Sequence, residues 1–208
     1  MIIYTFPGTR GIRVTWAAEE LKLPYEITLV NLKRGEHKQS EYLSINPEGK
    51  IPAIKIDDYY MSESGAILTY LGDRYQRLIP LAGTAERAQY EQMMSFILTE
   101  LEQPLWTIAK HKFALPEDLR VPEIVPTACW EFKNALSIFA TLLGDNEYLL
   151  PTGFSLVDIV AAQTLSWAKG AKQEVEDPRV NEYAKRALGR SALANAKAKE
   201  EEALTNAQ

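Results

Sequence analysis

Ser64 opens a run of apolar residues at helical spacing, and Glu63 precedes it (SESGAI, residues 62–67). A helix start carries unpaired N–H groups and a partial positive charge, so with a hydroxyl it makes a seat for a carboxylate. The acid beside it suits an ammonium. A carboxylate seat adjoining an ammonium seat is what an amino-acid moiety requires. Capping of the helix is the simpler role for the same serine.

The stretch NPEGKIPAIKI (46–56) sets a turn before Ile51-Pro52. A proline near the start of a strand must keep its missing N–H at an edge or toward a ligand. It is either an ordinary edge-strand proline or a cis-proline that presents the N–H and C=O of Ile51 to an extended, peptide-like ligand. His37 and Lys38 precede this turn and Lys50 follows it. The three form either a clamp for a second carboxylate or a solvated basic loop. At the N-terminus, YTFPGTRGIRVTW (4–16) passes from strand to helix through Pro7-Gly8, a natural place for chemistry, yet it holds no Cys, Ser or His. Its hydroxyls before the helix are Tyr4, Thr5 and Thr9. A capping box, Ser155 with Asp158 three residues on, sits in GFSLVDIVAA (153–162) and reads as structural.

The elements that must position these residues follow from periodicity. The pattern predicts a strand over 2–6, a helix over 11–23 and a strand over 25–30. A loop over 31–39 leads to a short helix at most over 40–44, a hairpin whose strands flank Asp57-Asp58, and a helix over 62–74. Residues 79–84 have linker chemistry. Helical periods then dominate over 85–112, 123–143, 155–168 and 179–190, and strand signals nearly vanish. That shift predicts a domain boundary. The expected division is 1–78, a linker over 79–85, and an all-helical domain over 86–208, whose polar, Ala-rich end reads as a surface helix or a frayed tail.

Composition narrows the function classes. A net charge of −5 argues against nucleic acid as a partner. No apolar run approaches the roughly 20 residues a membrane-spanning helix needs, and no basic segment precedes the first apolar stretch. The single cysteine, Cys129, excludes an internal disulfide, and His37 and His111 show no metal-ligand spacing. A metal-free protein of the cytoplasm, without nucleic acid or membrane as a partner, is expected.

In their order and spacing, PGTRGIRVTW, EHKQSEYLSINPEGKIPAI, SESGAI and FSLVDIVAA resemble the soluble glutathione transferases. The resemblance spans nearly the whole chain. It implies an α/β thioredoxin-like N-terminal domain followed by an all-α domain, in a homodimer. It further implies glutathione as cosubstrate, no prosthetic group, and thiolate attack on a small electrophile in detoxification. By resemblance, the backbone of Ile51 and Pro52, the latter cis, binds the cysteinyl part of glutathione. Glu63 and Ser64 hold the γ-glutamyl group. His37, Lys38 and Lys50 contact or flank the glycine carboxylate, with Lys50 replacing a more usual Gln. The donor to the thiolate falls, in order, on Thr9, Thr5 or Arg10, because the family's tyrosine position holds Thr5 and Tyr4 should point to the opposite face. Thr9 as a mere cap for the following helix is the alternative. For the electrophile, Phe6, Trp106 and Phe113 are candidates, as they are for ordinary core aromatics. A glutathione-dependent peroxidase or disulfide reductase is a neighbouring reading, and a non-catalytic binding or regulatory module a more distant one.

Overall fold

The computed structural model describes residues 1–207. It comprises two compact units: 1–79 together with the chain from Gly189 onward, and Pro80–Leu188. No helix among the described residues is long and apolar enough to cross a membrane.

The first unit is built on four strands, β1 (Ile2–Thr5), β2 (Glu26–Leu29), β3 (Ala53–Ile56) and β4 (Tyr59–Ser62), in the order β2-β1-β3-β4. β1 runs parallel to β2 and antiparallel to β3, which pairs antiparallel with β4. Parallel β1 and β2 require a crossover, and α1 (Ile12–Leu21) supplies it. Alternation sorts β1 onto two faces. Tyr4 joins Val30, Tyr42 and Ala53 in one cluster, with Tyr42 coming from the short α2 (Ser40–Leu43). Ile3 and Thr5 point the other way. Tyr4 therefore lies on the face opposite Thr5, as a two-residue period demands. The hairpin between β3 and β4 turns at Asp57, which adopts φ 52°. α3 (Ser64–Tyr75) follows β4 directly.

The second unit is helical. The run expected over 85–112 is one winding path of α4 (Ala85–Phe96), a π turn over Ile97–Leu101, α5 (Glu102–Ala109) and a second π segment over Lys110–Ala114. Pro104 has no N–H for the carbonyl four residues back, and the first wide turn falls where that bond is lost. α6 (Val125–Leu143), α7 (Leu156–Gly170) and α8 (Pro178–Leu188) complete this unit. Its core holds Tyr90, Ile97, Leu105, Phe132, Phe139, Ile159 and Tyr183, all essentially inaccessible to water. The Asp158 carboxylate accepts from the Ser155 N–H at 2.8 Å and hydroxyl at 3.0 Å, from the Leu149 N–H at 3.0 Å, and from the Tyr183 hydroxyl at 2.9 Å. Burial raises the Asp158 carboxyl above its ordinary range, against the pull of these donors.

The chain's last helix, α9 (Ser191–Asn206), departs from the expected division. It is grouped with the first unit, although 86–208 was expected to form one helical domain. It is also a docked helix and not a frayed tail. The reason lies in side chains too sparse to stand out in a polar sequence. Leu193, Ala196 and Glu200 form its buried stripe. Arg190, just before it, meets Glu20 of α1 through Nε at 2.5 Å and Nη2 at 2.8 Å. Lys199 reaches Glu19 at 2.6 Å and lies 4.6 Å from the Tyr25 ring centre.

Candidate functional site

Register brings three distant segments to one end of the sheet. Ala53 pairs with Tyr4 on one side and Ser62 on the other. The loop after β1, the Ile51-Pro52 step before β3 and the Glu63-Ser64 step after β4 therefore emerge side by side. Around this edge stand Phe6, Thr9, Arg10, Ile51, Pro52, Glu63 and Ser64.

The Ile51–Pro52 peptide is cis. Among the described residues, none hydrogen-bonds the backbone N–H or C=O of Ile51. The preceding carbonyl, that of Lys50, is held firmly by the Tyr42 hydroxyl at 2.6 Å and the Asn46 amide at 2.8 Å. The Lys50 carbonyl is thus pinned, while the N–H of the same peptide group and the Ile51 carbonyl that follows are left open. A free N–H and C=O on one residue at the start of a strand is the arrangement that accepts another extended chain. Burial pushes the Tyr42 hydroxyl up to about 12, so it stays a donor throughout the physiological range.

Ser64 is the first residue of α3, not its cap. The cap position belongs to Glu63, whose side chain makes no capping bond. The Ser64 hydroxyl instead accepts from Nη1 of the fully buried Arg13 at 3.3 Å. Its own proton has no acceptor among the described residues. A donor proton, a buried guanidinium behind it and the free N–H groups of a helix start all favour an anion. Glu63 is exposed and takes φ 67°, a left-handed backbone that costs a non-glycine residue on the order of 1–3 kcal/mol. Such strain is retained at sites where geometry has a use.

His37 and Lys38 lie in a single 3-10 turn (Glu36–Lys38), and the turn at Gly49 packs against them. A Cβ on Gly49 would fall 2.6 Å from the His37 carbonyl and 3.1 Å from Lys38 Nζ. Only glycine, here at φ 59°, allows this approach. The buried Nδ1 of His37 has no hydrogen-bond partner. Burial, aided by the Lys38 charge, lowers its pKa, so the ring is neutral near pH 7. Lys50 stands apart from this pair, exposed and bridged to Glu48 at 3.0 Å.

The candidate thiol donors fare differently. Thr5 is fully buried, 0% exposed, and its hydroxyl donates to Glu200 of α9 at 3.1 Å. With no surface to offer, it cannot meet a ligand. Thr9 donates to the Phe6 carbonyl at 2.7 Å and accepts from the Gly11 N–H at 3.2 Å. It braces its own loop, and the cap position of α1 falls on Gly11. Arg10 is half-buried beside it. Of the aromatic candidates, Phe6 is half-buried in this loop, whereas Trp106, half-buried on α5, and Phe113, 70% exposed after it, belong to the second unit.

Four residues of this region were not singled out from the sequence: Arg13, Tyr42, Asn46 and Glu200. Only Arg13 leaves a clear trace there, as a charge among the apolar positions of a predicted helix.

Residues 1–73 match the family model "Glutathione S-transferase, N-terminal domain", and residues 126–186 match "Glutathione S-transferase, C-terminal domain". Glutathione S-transferase F10 of Arabidopsis thaliana is 32% identical over 148 residues, 67% of this chain and 67% of the plant protein. The chain belongs to the glutathione S-transferase family. Other members bear this out. Bovine glutathione S-transferase theta-1 is 29% identical over 166 residues, 76% of this chain and 68% of its own. The crystal structure of glutathione transferase URE2P6 from Phanerochaete chrysosporium, in complex with oxidized glutathione, superposes with a TM-score of 0.81 at 30% identity. That match covers 97% of this chain and 96% of the fungal one. The four-stranded sheet with its helices and the helical structure that follows it are the thioredoxin-like and all-helical parts expected of this family.

Proposed function

We propose that this transferase-family chain binds glutathione at the end of its sheet and stabilises the thiolate for attack on a small electrophile. The observation that supports this most directly is the open backbone of Ile51 beside the Ser64 helix start. Glutathione is an extended peptide with a cysteinyl amide to pair with Ile51, an amino-acid head for Glu63 and Ser64, and a terminal carboxylate for His37, Lys38 and Lys50. The unclaimed proton of Ser64 fits the γ-glutamyl carboxylate, and the charges of Lys38 and Lys50 suit the terminal one.

Attack needs the anion. A thiol with pKa near 8.5 is only about 3% ionised at pH 7, and lowering that value by two units takes about 2.7 kcal/mol of selective stabilisation. Thr9 is the proposed donor. Its oxygen is anchored by the Gly11 N–H, so its single proton can turn from the Phe6 carbonyl to a nearby thiolate. A charged acceptor forms the stronger bond of the two. Arg10 adds positive charge at the same loop. The reading retains Phe6, Trp106 and Phe113 as contacts for the electrophile, each testable by alanine substitution. It also retains a cytoplasmic homodimer active in detoxification. The exposed Tyr59, Tyr60 and Tyr75 give a second copy an apolar surface to cover.

Calorimetric titration of the chain with reduced glutathione tests the proposal. Saturable binding at micromolar to millimolar concentration is expected, and absence of heat at millimolar ligand overturns it.

A further inference from the structure

Glu200 is 2% exposed, yet nothing in the docking of α9 requires an acid there. Leu193 and Ala196 supply the apolar contact, and the Arg190 and Lys199 pairs supply the charge. A buried carboxylate costs stability that an apolar side chain of similar volume would not. What it touches gives the reason. Glu200 Oε1 lies 3.1 Å from the Thr5 hydroxyl and 2.9 Å from the Thr15 hydroxyl, 195 and 185 residues away in sequence. Thr15 has one proton, and its carbonyl alternative, Ile12, is farther at 3.2 Å, so the charged acceptor takes it.

Those two threonines bracket the loop that carries Thr9 and Arg10. Thr5 is the last residue of β1, and Thr15 stands in the first turn of α1. One carboxylate oxygen therefore ties the two ends of the loop together. Between them the chain folds back so tightly that a Cβ on Gly11 would fall 1.8 Å from Thr5 Oγ1. The rotamer of Thr5 thus limits how low the loop can sit, and Glu200 holds that rotamer. The Gly11 N–H in turn anchors the Thr9 oxygen. A continuous line of contacts runs from Glu200 through Thr5 and Gly11 to Thr9.

We propose that Glu200 is a positioning residue. From the last helix it sets the height of the loop after β1, and hence the alignment of the Thr9 and Arg10 donors with the glutathione sulfur. This rests on the glutathione reading above for its chemistry, but the loop itself can be followed without any ligand.

The test compares the full chain with Glu200→Ala and Glu200→Gln by amide hydrogen exchange without ligand, by ultraviolet titration of bound glutathione thiolate, and by steady-state kinetics with a chlorinated nitrobenzene. In Glu200→Ala, exchange at residues 6–11 speeds up while α9 stays protected. The bound thiol pKa rises, and kcat/KM falls about tenfold, as a misplacement of an ångström or less allows. KM for glutathione changes less than about threefold. Glu200→Gln keeps a carbonyl oxygen for both threonines and recovers most of the loss. If Glu200→Ala does not fold, Thr15→Val removes one arm of the tie in an isosteric way and must show the same loop exchange and pKa rise. Unchanged loop exchange and thiol pKa in a folded variant overturn the proposal, as does loss of α9 protection along its whole length. Failure of the wild-type chain to bind glutathione sinks the binding reading alone, because the ligand-free exchange result still decides the tie between Glu200 and the loop.

Discussion

Asp158 in the helical unit and the sheet end in the first unit are both buried polar regions, and they are organised in opposite ways. Around Asp158 every group is matched: four donors converge on two carboxylate oxygens. At the sheet end the groups are left open: the backbone of Ile51 and the proton of Ser64. Buried polar groups without partners cost free energy, so evolution removes them unless something else supplies the partner. A closed network holds a fold, and an open one waits for a ligand. Glu200 stands between the two cases, with a carboxylate that is buried like Asp158 but aimed at the loop beside the open site.

The contrast can be broken most directly at Asp158. Asp158→Ala strands the Leu149 and Ser155 N–H groups and the Tyr183 hydroxyl inside the core, and should cost about 3 kcal/mol or more. Denaturant unfolding measures it, and a loss below about 1 kcal/mol would show that the network is not closed in the sense argued. Ser64→Ala removes a donor from the open region. Glutathione affinity should fall about tenfold, roughly 1.4 kcal/mol, with a smaller effect on stability through Arg13. A larger effect on unfolding than on calorimetric affinity would move Ser64 into the closed class. Thr9→Ala should raise the bound thiol pKa by about one unit while leaving affinity within about twofold. An unmoved thiolate titration removes Thr9 from the mechanism.

The smallest effect concerns pH. Burial, opposed by Thr15 and Thr5, holds the Glu200 carboxyl above its ordinary value. Folded chain then binds that proton more tightly than unfolded chain. This group's contribution is complete below the unfolded pKa and is lost as pH rises through the folded one. Glu200→Gln cannot ionise, so its Tm relative to wild type should climb as pH rises from below the ordinary glutamate range through the raised pKa of the folded chain, by a few degrees at most. A constant difference would mean that Glu200 ionises as freely as a surface acid.

Much of this was legible in the residues. Wherever partners sit within one turn of each other, spacing alone reveals them: Ser155 with Asp158, the Asp57 hairpin, the Glu63-Ser64 helix start, the Ile51-Pro52 step. The choice between the two readings of Ser64, carboxylate seat or cap, was not, because Arg13 behind it and the cap position of Glu63 are seen only in space. Thr5 looked available for the same reason, since nothing near it in sequence shows the Glu200 carboxylate. The end of the chain misled most, as Leu193 and Ala196 are too few to mark a docking face among so many charges.

Taken by itself, the sequence determined the order of elements, the change from mixed to helical structure near residue 80, and the motifs whose order and spacing resemble the family. All of these depend on periods and spacings written along the chain. Tertiary structure alone decided which of those residues are open and which are already paired. Thr5 against Glu200, Arg13 against Ser64 and Lys50 against Tyr42 are contacts made in space, and a hydroxyl or carbonyl carries no local sign of the partner that will claim it.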